Sequence, residues 1–195
     1  MKKISSIVVI IASLLMIACL RFPLWDINLD APQYPEGLEM NIWIDHLSGQ
    51  VDIINGLNHY IGMKHIKEEM FPEFTYMKNI VIIFIATGII VALLRRKWIY
   101  GVWFVAFLGI AALGIYDFWQ WEYDYGHNLD PRAAINVPGM AYQPPLMGCK
   151  LLLNFNACSF PATGGIIIML AGTLCFLIFV YEIFFHRKAV HEKGK

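Results

Sequence analysis

A histidine and a methionine four residues apart, His59 and Met63, have the types and spacing that best suit metal chemistry. The segment 52–70 is predicted to be helical, and residues at i and i+4 of a helix share a face. Imidazole and thioether donors together suit Cu(I), a soft ion. The pair therefore predicts a Cu(I) site. The same spacing also fits a packing stripe, because methionine fills irregular gaps in protein cores.

Further soft donors lie in a second segment, towards the C-terminal half of the chain. The sequence offers His127, Met140 and Met147 there. We expect one or more of these side chains to complete the site where the two segments meet. Other imidazoles and thioethers, at His46, His65 and Met70, are also available as ligands.

A polar stripe precedes His127. Asp117, Gln120, Asp124 and His127 fall on one face of a helix. Carboxylates in such a pocket could bind a cation or take protons from a quinol. The alternative is a belt of aromatic side chains at a membrane interface, which the neighbouring tryptophans and tyrosines favour: Trp119, Trp121, Tyr123 and Tyr125.

Two cysteines, Cys149 and Cys158, lie nine residues apart in the same segment. An oxidising compartment would permit a disulfide between them, and two free thiols are the alternative. Their spacing matches neither a zinc nor a haem signature. Cys19 and Cys175 lie within apolar runs and are predicted to be packing residues.

The elements that position these residues are predicted from hydrophobic runs. The chain has 195 residues, of which 58% are hydrophobic. Four runs, at about 4–20, 76–94, 98–116 and 164–185, are close to the roughly 20 apolar residues that a spanning helix needs. The sequence therefore predicts an all-α membrane protein, a single domain 1–195 with four transmembrane helices. A secretory signal is the alternative reading of the first run.

The charges are sorted along the chain, although their sum is zero. Nine of the fifteen basic residues flank the runs at 2–3, 95–97 and 187–195, whereas thirteen of the fifteen acids lie in the segments 21–75 and 117–163. Positive charge favours the cytoplasmic side. We therefore expect a multi-pass protein of a bacterial inner membrane, in contact with the lipid bilayer, with both termini cytoplasmic and these two segments periplasmic.

The two outer segments are too rich in aromatic and aliphatic residues to be disordered linkers, so they are predicted to pack into a small ordered cap. Partial alternation at 38–45 predicts a short strand. Residues 131–163 contain five prolines and are predicted to be irregular. No phosphate-binding loop, dinucleotide fingerprint or nucleophilic triad occurs. These absences predict that the protein is not an enzyme, and nothing predicts nucleic-acid binding.

Four stretches are distinctive: Ala31 to Leu38, Asn55 to Met63, Trp121 to Pro131, and Pro138 to Pro145. On these, and over essentially its whole length, the chain resembles a family of small membrane proteins of Bacteroidota and related bacteria. That family is associated with gene neighbourhoods for nitrous oxide reductase and its maturation factors. The resemblance implies a role in assembling an exported copper enzyme, or in its electron supply. It assigns no catalytic residues, and a non-catalytic membrane scaffold is the further alternative.

Overall fold

The structure, a computed structural model, describes residues 1–185. The basic residues at 187–195, which the charge pattern predicts on the cytoplasmic side, lie outside the described residues. The described part contains five α-helices: α1 Lys3–Leu15, α2 Val51–Tyr60, α3 Glu73–Leu94, α4 Lys97–His127 and α5 Thr163–Val180. A 3-10 turn, Met16–Leu20, extends α1, and a π-helical turn, Tyr181–Phe185, follows α5.

Helices α1, α3, α4 and α5 form a bundle around one apolar core. Ala12 of α1, Ala92 of α3 and Phe104 of α4 are buried in that core with Ala171 of α5. The Tyr100 hydroxyl donates a hydrogen bond to the Cys175 carbonyl (2.6 Å), which joins α4 to α5. By length and composition, these four helices are apolar enough to cross a membrane, with α1 counted together with its 3-10 extension.

The prediction of an all-α fold is wrong, because the segments between these helices form a β-sheet. The described residues contain one antiparallel five-stranded sheet in the order β3-β2-β1-β5-β4. The strand bounds are β1 Trp25–Ala31, β2 Tyr34–Ile42, β3 Leu47–Gly49, β4 Gly148–Leu152 and β5 Phe155–Pro161. The predicted strand at 38–45 overlaps β2, and the stretch predicted to be irregular contains β4 and β5.

The sheet forms because β1 alternates cleanly between its two faces. Ile27, Leu29 and Ala31 are buried, whereas Asn28 and Asp30 between them are exposed. Apolar residues at every second position of a strand fall on one face. That face needs a cover, which the adjacent helices supply.

The two outer segments therefore form one cap, built on a β-sheet, and we call residues 21–72 and 117–162 the cap. The covered face of the sheet packs against α2 and against the last turns of α4. Ile54 of α2 and Tyr125 of α4 are buried there, and the Trp25 ring meets the Phe118 ring edge-on at 5.4 Å. Helix α4 is thus one continuous rod whose first part lies in the bundle and whose end lies in the cap.

The bundle has two different ends. At the end away from the cap, the Lys2 backbone N–H donates to Glu182 (2.8 Å), and the Met1 nitrogen donates to the Arg95 carbonyl oxygen (2.5 Å). At the cap end, the Gly164 N–H donates to the Pro23 carbonyl (2.8 Å). This bond joins the segment that follows α1 and its 3-10 extension to the start of α5. The basic residues 2–3 and 95–97 therefore share the end opposite the cap.

Candidate metal-binding groove

Helix α2 ends at Tyr60, earlier than the sequence predicts. Gly62 has a φ of +81°, in the left-handed region that glycine adopts without cost, and such a residue commonly ends a helix. The Met63 N–H then donates back to the Asn58 carbonyl (2.9 Å). The predicted helix 52–70 is therefore wrong beyond residue 60, and His59 and Met63 do not share a helical face.

The loop after α2 is held against the segment that follows α4. The Asp130 N–H donates to the Gly62 carbonyl (2.8 Å), and the Ile135 N–H donates to the Tyr60 carbonyl (2.9 Å). The contact is close, because a Cβ on Gly62 would lie 2.8 Å from the Asp130 carbonyl oxygen. The two outer segments thus meet at Gly62, and a groove opens beside this junction.

Two imidazoles and one thioether line this groove. His59, Met63 and His65 contribute to its wall, together with residues 128–134. The ring centroids of His59 and His65 are 6.2 Å apart. Because bonds from imidazole nitrogen to a metal are about 2 Å long, two rings on opposite sides of one ion have centroids roughly 6 Å apart. The centroid separation of His59 and His65 therefore matches that of two rings bound to one ion.

Charged groups surround the groove. The Arg132 backbone and side chain bond to Asp130 and lower the pKa of its carboxyl, and His59 lowers it slightly further. Lys64 forms an ion pair with Asp124 (2.7 Å). The groove thus has a carboxylate beside His59, with the Lys64 ammonium turned towards α4.

The other predicted metal ligands lie elsewhere. His127 and Met140 line a second groove, and residues 129–131 form the wall between the two. The His127 Nδ1 is hydrogen-bonded to the Tyr123 carbonyl (2.9 Å), and its ring stacks on Tyr123. Met147 is exposed just before β4 and lines neither groove.

Asp117, Gln120 and Asp124 lie along the cap end of α4, where each has different surroundings. The Asp117 carboxyl lies close to that of Glu73, at the start of α3. Burial, and then the neighbouring charge of Asp117, raise the pKa of Glu73. Gln120 is exposed, and Asp124 is bonded to Lys64 and to the Asn128 amide. Asp117 thus lies beside the start of α3, whereas Asp124 is bonded to Lys64 in the loop after α2.

Cys149 and Cys158 form a disulfide, one of the two alternatives that their spacing allowed. Cys19 and Cys175 are buried free cysteines. In residues 1–185, three or more His, Cys, Asp or Glu side chains nowhere converge on a point that could hold a metal ion. No protein-family model, no curated protein and no solved structure matches this chain.

The sequence does not single out two residues of the cap. His65 is only one of several available ligands there, because a helix end separates it from His59. Glu122 lies among the aromatic residues predicted to form an interfacial belt, but it is completely buried in the cap. Neither of its carboxyl oxygens has a hydrogen-bond partner among the described residues, and burial raises its pKa to about 8.

Proposed function

We propose that this protein is a non-catalytic membrane accessory protein that binds Cu(I) in the groove between the two outer segments. The observation that carries the proposal is the approach of His59 and His65 to 6.2 Å beside Met63. Imidazole and thioether are neutral donors, the thioether is soft, and together they suit a Cu(I) ion of low coordination number. A ligand set with few charged oxygens disfavours Mg²⁺ and Ca²⁺.

The arrangement of the helices supports a location in a bacterial inner membrane. Four helices are long and apolar enough to span the bilayer, and the basic residues 2–3 and 95–97 share one end of the bundle. Basic residues favour the cytoplasmic side, which would put the cap and its groove in the periplasm. A copper site there would serve a partner that is folded and loaded with metal after export.

The partner that fits is an exported copper oxidoreductase together with its maturation factors. The resemblance to proteins of nitrous oxide reductase gene neighbourhoods points to that enzyme. The groove is open and lies at the surface of the cap. Cu(I) bound there by three or fewer ligands could pass to a partner by ligand exchange, because an incoming donor has room to approach.

The test is an anaerobic Cu(I) competition titration of the detergent-purified chain. We expect one tightly bound copper in the wild type and at least a tenfold loss of affinity in each of His59→Ala, His65→Ala and Met63→Ala. His46→Ala is the matched control, because His46 is also in the cap but bonds to Asp45 (2.8 Å) and stacks on Trp43. Equal affinity in the wild type and the first two variants would refute the groove as the site.

A second candidate function, quinol-linked electron delivery, rests on the carboxyl pair of Glu73 and Asp117. Two neighbouring carboxyls at the cap ends of α3 and α4 could accept protons from a quinol at the membrane surface. If this function is correct, the purified protein retains quinone, and Asp117→Asn lowers the rate of quinol-dependent reduction of the partner. Full activity of Asp117→Asn would exclude this role for the pair.

A further inference from the structure

The disulfide lies on the face of the sheet that is turned away from α4, which we call the outer face. Cys149 of β4 and Cys158 of β5 are directly opposed in the antiparallel register. Their neighbours Ala157 and Ser159 are buried on the other face, whereas Cys149 is exposed. Cys149 is therefore accessible to a partner from outside the cap, and Cys158 is half-buried beside it.

The hairpin that carries this bond is also held by backbone pairing. Strands β4 and β5 are already paired in continuous register from Gly148 opposite Ser159 to Leu152 opposite Phe155. A disulfide stabilises a protein mainly by closing a loop in the unfolded chain, and its effect grows with loop length. Here the closed loop is short, with a sequence separation of 9, so the bond joins two strands that a tight hairpin already holds together.

Reduction would leave a pair of soft donors at this position. The two Cα atoms are 4.0 Å apart, so both thiolates can reach one ion without movement of the backbone. Met147 is exposed two residues before Cys149 and offers a thioether near the same edge. Thiolate and thioether donors select Cu(I).

We propose that reduction of the Cys149–Cys158 disulfide by a dithiol protein creates a second, sulfur-only Cu(I) site on the outer face of the sheet. This site goes beyond the proposed groove and does not require it. The copper load of the cap would then depend on the supply of reducing dithiol outside the membrane.

The exchange balances in atoms and electrons. A thiolate of the dithiol attacks the Cys149 Sγ, the S–S bond breaks, and Cys158 leaves as a thiolate. The second thiol of the reductant then attacks the mixed disulfide and releases Cys149. The reductant is oxidised to its own disulfide, and the protein gains two electrons and two protons. Cu(I) displaces those protons when it binds the two sulfurs.

The test compares the full chain in detergent with its disulfide intact and after reduction by a dithiol protein that is then removed, both under anaerobic conditions. Cu(I) competition gives the stoichiometry, and X-ray absorption gives the donor atoms. We expect one additional copper with sulfur donors after reduction, and no additional copper in the reduced Cys149→Ser/Cys158→Ser variant. Cys19→Ser is the matched control, because Cys19 is buried in the bundle. This variant should still bind the additional copper after reduction.

The outcomes separate this site from the groove. His59→Ala should keep the copper that binds only after reduction, even if it loses the copper bound in the groove. The additional copper can therefore be measured even if the groove binds none. Equal stoichiometry before and after reduction overturns the proposal, as does a disulfide that the dithiol protein cannot open in the folded chain. An increment that persists in the double cysteine variant assigns the copper to other residues and also overturns it.

Discussion

Gly126, in the last turn of α4, lies directly against the backbone of Gln143. A Cβ on Gly126 would be 2.3 Å from the Gln143 Cα, and the adjacent Tyr142 N–H donates to the Gly126 carbonyl (2.9 Å). The chain that leads from α4 back to β4 is thereby fixed along the helix. Gly126 permits this approach because it has no side chain.

Gly126→Ala should therefore destabilise the cap. The clash is with backbone atoms, which rotation of a side chain cannot relieve, so we expect a loss of about 2 kcal/mol or more. Gly56→Ala is the matched control, because Gly56 lies in α2 with open space around it and alanine should stabilise that helix by about 0.5–1 kcal/mol. Thermal unfolding followed by near-ultraviolet circular dichroism reports on both variants. An unchanged melting temperature in Gly126→Ala would contradict the close contact.

Glu122 should make the stability of the cap depend on pH. Burial raises its pKa to about 8 in the folded cap, against 4.5 for an ordinary glutamate. The folded state thus keeps its proton at pH values where the unfolded chain has lost it. The free energy of unfolding should be highest below pH 4.5, fall as pH rises to about 8, and then level off, with a total change of a few kcal/mol.

Glu122→Gln tests this, since a glutamine fills the same volume and does not ionise. We expect the variant to lose most of the decline between pH 4.5 and 8 and to be more stable than the wild type at pH 8. Glu36→Gln is the control, because Glu36 is exposed on β2 and its replacement should leave the wild-type profile intact. Unfolding by denaturant across this pH range gives the measurement. A parallel profile for Glu122→Gln and wild type would disprove the assignment.

The bundle was accessible to sequence analysis because a long apolar run is a local signal. The runs at 76–94 and 164–185 coincide closely with α3 and α5. The sheet could not be predicted from a local signal, because β1 pairs with β5, which is distant in sequence. Trp25, for example, lies opposite Pro161. Alternation within β1 is a local signal of a strand, but it does not specify which strand pairs with it.

The candidate groove was predicted in part. Its place, where the two outer segments meet beside His59 and Met63, follows from residue types and topology. His65 was among the available ligands, but its approach to His59 could not be predicted, because it depends on the turn at Gly62 and on contacts with distant residues. The separation of His127 and Met140 from this groove could not be predicted either. Residues 129–131 form the wall between the two grooves, and their position depends on tertiary packing.

The backbone at His65 and Ile66 is held in place by three hydrogen bonds that do not involve the His65 side chain. The Tyr125 hydroxyl donates to the His65 carbonyl (2.7 Å), and the Asn55 side chain accepts from the Ile66 N–H (2.6 Å) and donates to the Ile66 carbonyl (2.9 Å). Asn55 is buried, so loss of its amide leaves two buried backbone groups unpaired at a cost of roughly 1–3 kcal/mol each.

Asn55→Ala should therefore weaken Cu(I) binding without removing a ligand. We expect a three- to tenfold loss of affinity in the competition titration, with Tyr125→Phe giving a smaller effect in the same direction. Asn28→Ala is the control, because Asn28 is exposed on the opposite face of the sheet and should have no effect. Wild-type affinity in a folded Asn55→Ala protein would show that the position of His65 does not matter for binding.

Gly62→Ala should open the junction between the two outer segments. Two costs combine there: a φ of +81°, which alanine rarely adopts, and a Cβ only 2.8 Å from the Asp130 carbonyl oxygen.

A control at Gly139 distinguishes the backbone strain from the clash. Gly139 has a φ of +77°, but a Cβ there would meet open space. Gly139→Ala should therefore cost only the backbone strain, of order 1 kcal/mol, and leave Cu(I) affinity unchanged. Gly62→Ala should be less stable than Gly139→Ala and should bind Cu(I) at least tenfold more weakly. Equal copper affinity in the two variants, measured by the same titration, would show that contact between residues 62 and 130 does not shape the groove.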